Sequence, residues 1–238
     1  MIIKDFTQLS EQEQRTHFQP GHRQRMLLRY LAEGLDNFTS QEVLELMLGI
    51  ILIRKDNKLL SKILIEEFGS LNNVLNASPE ELEKISGISQ RSIILLRFIK
   101  DASIFCLREK ILKEDCVSSL ADVLAYLQLR YKGDKKEEFR VLFLNNKNMI
   151  QRDECISVGT VNEAKIYIRE LMERVFHYGS SAIMLVHNHP SGTMKPSQDD
   201  LQITRKIKQA LDYVNVRVLD HIIVGDNAYF SFAEENLL

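Results

Sequence analysis

Apolar residues recur at helical spacing through the first half of the chain, and in short alternating or continuous runs through the second. NKLLSKILIEEFG (residues 57–69) sets Leu59, Leu60, Ile63, Leu64 and Phe68 at intervals suited to one helix face. It closes on Gly69, the residue type that most readily ends a helix in the left-handed region. FTSQEVLELMLGIIL offers Thr39 or Ser40 as a cap, with Thr39 and Glu42 at capping-box spacing. SPEELEKI begins with a Ser78 cap and Pro79 at the first helical position. A long amphipathic stretch follows from Arg91 to about Leu112.

The pattern changes near residues 111–117, and the boundary is placed there. This gives an all-helical domain over 1–115 and an α/β domain over 116–238. SSLADVLAYLQLRY is one more helix, capped by Ser118 or Ser119. FRVLFLN, MIQRDECISV, SSAIMLVHNH, VRVLDHIIV and AYFSF then read as strands. Between them TVNEAKIYIRELMERVFHYG and QDDLQITRKIKQALDYV read as helices, the first ending near Gly179. Strands alternating with helices predict a mixed sheet with helices on its faces.

Composition narrows this picture without changing it. An apolar content of 45% and a charged content of 27% describe an ordinary globular protein. The longest apolar run, residues 46–53, is too short to cross a bilayer. Charges from Lys4 onward do not fit a secretory leader, so a cytoplasmic protein is expected. Cys106, Cys116 and Cys155 form no CxxC pair, which argues against a disulfide framework or thiolate zinc site. The 31 basic and 33 acidic residues divide almost evenly between the halves. Neither half has the basic excess of a typical duplex-binding domain.

Candidate chemistry concentrates in LVHNHPSGTMKPSQDD (residues 185–200). Side chains two apart on an extended segment share a face, with Cα atoms roughly 6.6 Å apart. His187 and His189 can therefore converge on one metal ion, while Asn188 faces the other way and is not a natural ligand. Ser197 is a good helix cap, and Asp200 lies in the first turn, where its carboxylate can aim back at the strand end. The plainer reading is a strand end followed by a capped helix, with Asp200 completing a capping box. Asp220 and His221 form a polar pair within an apolar strand: either one of them is a partner of a ligand imidazole, or the strand crosses the domain surface. HExxH, Walker A, GxGxxG and GxSxG are absent, as is the HxE…PCxxC pattern of zinc nucleobase deaminases.

HxHP followed by Ser-x-x-Asp is similar to the JAMM signature of MPN+ metalloproteases. HNHPSG…PS..D with the later VLDHIIVG resembles the bacterial RadC family. The resemblance covers the whole chain, most specifically from about Lys135 to Phe232. It implies an MPN/JAMM-like domain layered like a cytidine deaminase, behind a small all-α, helix-hairpin-helix-like domain. It further implies one zinc per chain, bound by His187, His189 and Asp200, with Ser197 polarising the reacting carbonyl. Two imidazoles and a carboxylate leave a fourth position open, as in catalytic rather than structural zinc sites. The general base is expected on an earlier strand, at Glu137 or Glu138. The Glu-x-Phe pattern and strand parity with Phe139 favour Glu137.

The expected activity is therefore hydrolysis of peptide or isopeptide bonds, with a protein or peptide as substrate and no membrane partner. The alternative is a DNA repair or recombination accessory. LEKISGISQRSIILL resembles a helix-hairpin-helix, whose turn aims backbone N–H groups at a phosphate. Gly87 fits that pattern, whereas Ser89 stands where a second glycine is usual. A scaffold that kept the fold and lost the activity is a third reading, disfavoured by the intact ligand set.

Overall fold

The computed structural model describes residues 21–52, 57–112, 120–133, 136–159, 166–225 and 228–238. The chain divides into two compact units, with the division between Arg97 and Phe98. That point lies inside a helix, whereas the boundary expected at 115/116 and the caps Ser118 and Ser119 lie outside the described residues.

The first unit is helical: α1 (His22–Glu33), α2 (Ser40–Ile51), α3 (Lys58–Phe68), α4 (Leu71–Asn76), α5 (Pro79–Leu82) and the beginning of α6 (Gln90–Ile111). The expected caps form. Glu42 N–H donates to Thr39 Oγ1 at 3.3 Å and Glu42 Oε2 accepts from Thr39 N–H at 2.9 Å. Ser78 makes the same box with Glu81, although α5 is only four residues long. Gly69 ends α3 at φ +79°. Leu44, Leu48, Leu60, Leu64, Val74 and Leu96 form the core of the unit.

The second unit continues with α7 (Leu120–Tyr131), β1 (Glu138–Leu144), β2 (Ile150–Val158), α8 (Ile168–Tyr178), β3 (Ala182–Asn188), α9 (Gln198–Asp212), β4 (Arg217–Val224) and β5 (Tyr229–Ser231). The helix expected to begin near residue 160 begins at Ile168. Tyr167 is extended (φ −82°, ψ 108°), and Ile166 already packs against the sheet-face core. The strands form one mixed sheet in the order β2-β1-β3-β4-β5. The β3–β4 pair is parallel and the others antiparallel.

Strand parity sorts the side chains between two cores. Leu142, Leu144, Met184, Val186 and Ile222 pack toward α7 and the end of α6. Phe139, Val141, Phe143, Ile183 and Leu185 pack toward α8 and α9. With both faces covered, β3 is buried from end to end. The α7 side also holds a buried polar cluster. The Asp153 carboxylate accepts from the Tyr126 hydroxyl and from Arg140 Nε at 2.8 Å. Arg140 Nη1 in turn lies 3.2 Å from Glu138 Oε2.

Candidate metal centre

The carboxyl end of β3 brings the two histidines together as the alternation predicts. His187 continues the odd-numbered face that packs on α9. His189, one residue past the strand, donates its backbone N–H to Val224 O at 3.0 Å and so keeps the extended course. The two Nε2 atoms are 2.9 Å apart. Asp200 enters from the first turn of α9, with Oδ1 3.2 Å from His187 Nε2 and Oδ2 3.5 Å from His189 Nε2. Ligand atoms of Glu137, His187 and His189 lie within 4.8 Å of one another. His187 and Asp200 are buried, whereas Glu137 and His189 are half-buried and border a cleft of about 700 Å³.

The capping box aims the carboxylate. Asp200 Oδ2 accepts from Ser197 N–H at 2.7 Å and from Ser197 Oγ–H at 2.6 Å, while Asp200 N–H returns to Ser197 Oγ at 3.1 Å. Oδ1 is left buried with no hydrogen bond, facing the histidines. A helix cap and a metal ligand are thus compatible roles for one side chain. The Ser197 proton, expected to serve a reacting carbonyl, is donated here to Asp200.

The donor set suits a divalent cation. Thr193 O lies 2.6 Å from His189 Nδ1, and a carbonyl can only accept, so Nδ1 carries the proton of the neutral ring and Nε2 offers a lone pair. Such a lone pair, placed beside His187 Nε2 and an orphaned carboxylate oxygen, needs a proton or a metal between them. The same competition appears in the acid–base behaviour. The hydrogen bond to Asp200 raises the His189 pKa against the opposing effect of burial. Burial also disfavours the Asp200 anion, but the two imidazoles and Ser197 outweigh it and hold that carboxyl well below the usual range.

The residue between the histidines has a task of its own. Asn188 Oδ1 accepts from Glu138 N–H at 2.7 Å, and its Nδ2 donates to Lys136 O at 2.9 Å. The two bonds straddle Glu137 and fix the segment that leads into β1. The odd-numbered face carries Glu137 toward His187 and His189. Glu138 points to the other face, where Oε2 accepts from Arg130 Nη2 and Arg140 Nη1, each at 3.2 Å. Of the two glutamates weighed for the base, Glu137 is the one beside the histidines.

A RadC-like JAB domain profile matches residues 117–237. The chain is 34% identical to a UPF0758 protein of Fusobacterium nucleatum, over 92% of this chain and 97% of the relative. It is 33% identical to one of Ruegeria pomeroyi, covering 91% and 97% of the respective chains. For one of Rhodobacter capsulatus the identity is 35%, covering 88% and 98%. The chain belongs to the RadC family.

The JAB/MPN-type domain of this RadC-family chain is therefore the sheet-bearing unit, and the constellation described above lies within it. Two further residues adjoin the centre. His221 Nε2 lies 2.8 Å from His187 Nδ1, and its Nδ1 lies 2.6 Å from Thr204 Oγ1. Burial, reinforced by the neighbouring His187, pushes the His221 pKa well below that of an ordinary histidine. Asp220 faces elsewhere, accepting from Ser231 Oγ at 2.6 Å and Ala233 N–H at 3.0 Å. Of the polar pair that the sequence singled out within VLDHIIV, His221 is the one that meets a histidine of the centre, whereas Thr204 carried no signal.

In the helical unit of this RadC-family chain, Gly87 has φ +88°, which favours glycine. Ser89, at the other hairpin position, uses its hydroxyl to accept from Ser92 N–H at 3.2 Å and caps α6. Among the described residues no helix is long and apolar enough to cross a membrane.

Proposed function

We propose that this protein is a cytoplasmic zinc-dependent hydrolase that cleaves peptide or isopeptide bonds in a protein or peptide substrate. The observation that carries the reading is the convergence of His187 Nε2, His189 Nε2 and the orphaned Asp200 Oδ1, with Glu137 beside them. His187, His189 and Asp200 would hold the metal, one per chain, and the cleft beside His189 and Glu137 would admit the substrate. When bound, a zinc ion supplies the positive charge that acidifies water to a pKa of about 7 and polarises a carbonyl.

The protein's own groups do the rest. The Glu137 carboxylate accepts the proton that water loses as its oxygen attacks the carbonyl carbon. It returns that proton to the amine nitrogen as the C–N bond breaks. Asn188 keeps Glu137 in place through the backbone on either side. Ser197 holds Asp200; its hydroxyl serves the developing oxyanion by turning from Oδ2, which Ser197 N–H continues to hold at 2.7 Å.

Metal content by mass spectrometry on protein never exposed to chelator, beside His189→Ala, tests the centre. About one zinc per wild-type chain and almost none in the variant is expected; no zinc in either, with added metal refused, overturns the reading. Hydrolysis of an isopeptide-linked peptide library by the wild type and its loss in Glu137→Gln test the reaction. Retained zinc without cleavage of any member counts against it. Gly87 at φ +88° favours a second reading, DNA contact through the hairpin. A salt-sensitive mobility shift lost in Gly87→Val would establish it, and no shift at low salt would end it.

A further inference from the structure

We infer that Thr204 and His221 form a relay that fixes the tautomer of His187, making His221 a positioning residue for the metal centre. The inference rests on the metal reading above and adds to it a cause for the ligand's protonation state.

Each donor in the relay follows from the one before. Thr204 Oγ1 lies 2.5 Å from the Asp200 carbonyl oxygen, which can only accept, so the single hydroxyl proton is spent there. The contact between Thr204 Oγ1 and His221 Nδ1 at 2.6 Å then requires the proton to come from the imidazole. A neutral His221 protonated on Nδ1 presents a bare Nε2 to His187 Nδ1 at 2.8 Å. His187 must therefore carry its proton on Nδ1, which leaves the lone pair of Nε2 facing His189 and Asp200. The relay begins on the backbone of one ligand and ends on the ring of another. A carboxylate or carbonyl commonly supports a ligand histidine; here a second histidine takes that place.

The surroundings hold the geometry. Thr204, His187 and His221 are all buried. Phe232 stacks on the His221 ring at 4.6 Å between centroids, and Phe139 meets its edge at 5.6 Å. Phe139 also stacks with His187 at 6.1 Å. These contacts keep the two imidazoles from rotating out of line.

The test is made on the full chain with wild type, His221→Gln, His221→Leu and Thr204→Val. Proton-coupled nitrogen NMR of the metal-free wild type, at a pH where the imidazoles are neutral, reads the His187 tautomer. A proton on Nδ1 is expected, and a proton on Nε2 overturns the inference. Zinc affinity is read by competition with a chromogenic chelator. His221→Leu, which cannot accept from His187, is expected to lose about 10- to 100-fold. His221→Gln, which supplies an amide oxygen near the former Nε2, should recover most of that loss. Thr204→Val should scramble the His187 tautomer without unfolding the protein. Equal zinc affinity in folded His221→Leu and wild type would overturn the relay. If the wild type takes up no zinc, the metal reading fails, while the metal-free NMR measurement still decides the tautomer.

Discussion

Asparagine at position 200 probes the centre with the least steric change, and the cap determines how the new amide lies. Ser197 N–H and Oγ–H both donate to the Oδ2 position, at 2.7 and 2.6 Å, so the amide oxygen must occupy it. The NH₂ group then takes the place of Oδ1 and points its protons at His187 Nε2, 3.2 Å from that position. The proposed ligand thereby becomes a donor that fills the space in which the proposed cation would sit. For wild type, zinc at one hundred times its dissociation constant adds about 2.7 kcal/mol to folding. That corresponds to a rise of roughly 5–11 °C in the unfolding midpoint for a protein of this size class. Asp200→Asn should show no resolvable zinc shift at pH 8.5. Its metal-free form should match or exceed metal-free wild type, because the new hydrogen bond contributes about 1 kcal/mol. Thermal unfolding followed by circular dichroism, with and without chelator, measures both quantities. An equal zinc shift in the variant, or a variant much less stable than metal-free wild type, would refute the reasoning.

Three further outcomes follow from other contacts. Because the His189 pKa is raised, its pairing with Asp200 stabilises the metal-free protein fully below the unfolded histidine value of about 6.5 and is lost as pH rises through the folded value. Urea titrations in chelator should therefore show stability falling from about pH 6.5 upward, and a rise over that interval would contradict the pairing. Asp153→Asn removes the negative charge that faces the buried Arg140 guanidinium at 2.8 Å and turns one of its two acceptor oxygens into a donor, but leaves Glu138 at 3.2 Å, so a loss of about 3 kcal/mol is expected in urea unfolding. A loss under about 1 kcal/mol would show that the cluster is already solvated. Asn188→Ala should bind zinc within a few-fold of wild type yet hydrolyse an isopeptide substrate about 100-fold more slowly, since Glu137 loses both backbone anchors. Unchanged turnover would mean that the segment holds itself.

The parts of the site legible in the sequence are those that depend on local spacing. The parity of His187 and His189, the box between Ser197 and Asp200, and the separation of Glu137 from Glu138 all follow from strand and helix geometry over a few residues. The Asn188 clamp was not legible. Its partners are a backbone N–H and a backbone C=O some fifty positions away, and main-chain groups leave no mark on a sequence. Thr204 is hidden for a similar reason: one threonine on an amphipathic helix is unremarkable until His221 arrives opposite it from another strand. Fold class was readable because alternating helices and strands leave few architectures. The strand order is another matter, since it is fixed by which apolar faces meet, and β3, buried on both sides, lacks the alternation that would show its faces.

That continuous burial has a consequence for how β3 finds its place. A strand with one wet face is held in register by its pattern, because a slip of one residue turns every apolar side chain outward. β3 has no such penalty over its seven apolar and polar positions, all of which are covered. A one-residue slip against β1 would keep it dry while moving Asn188 onto the face that meets α9 and both histidines off it. Asn188, by gripping Lys136 and Glu138 together, makes the correct alignment the one that satisfies the neighbouring backbone. The asparagine between the histidines thus favours the alignment that sets Glu137 beside His187 and His189.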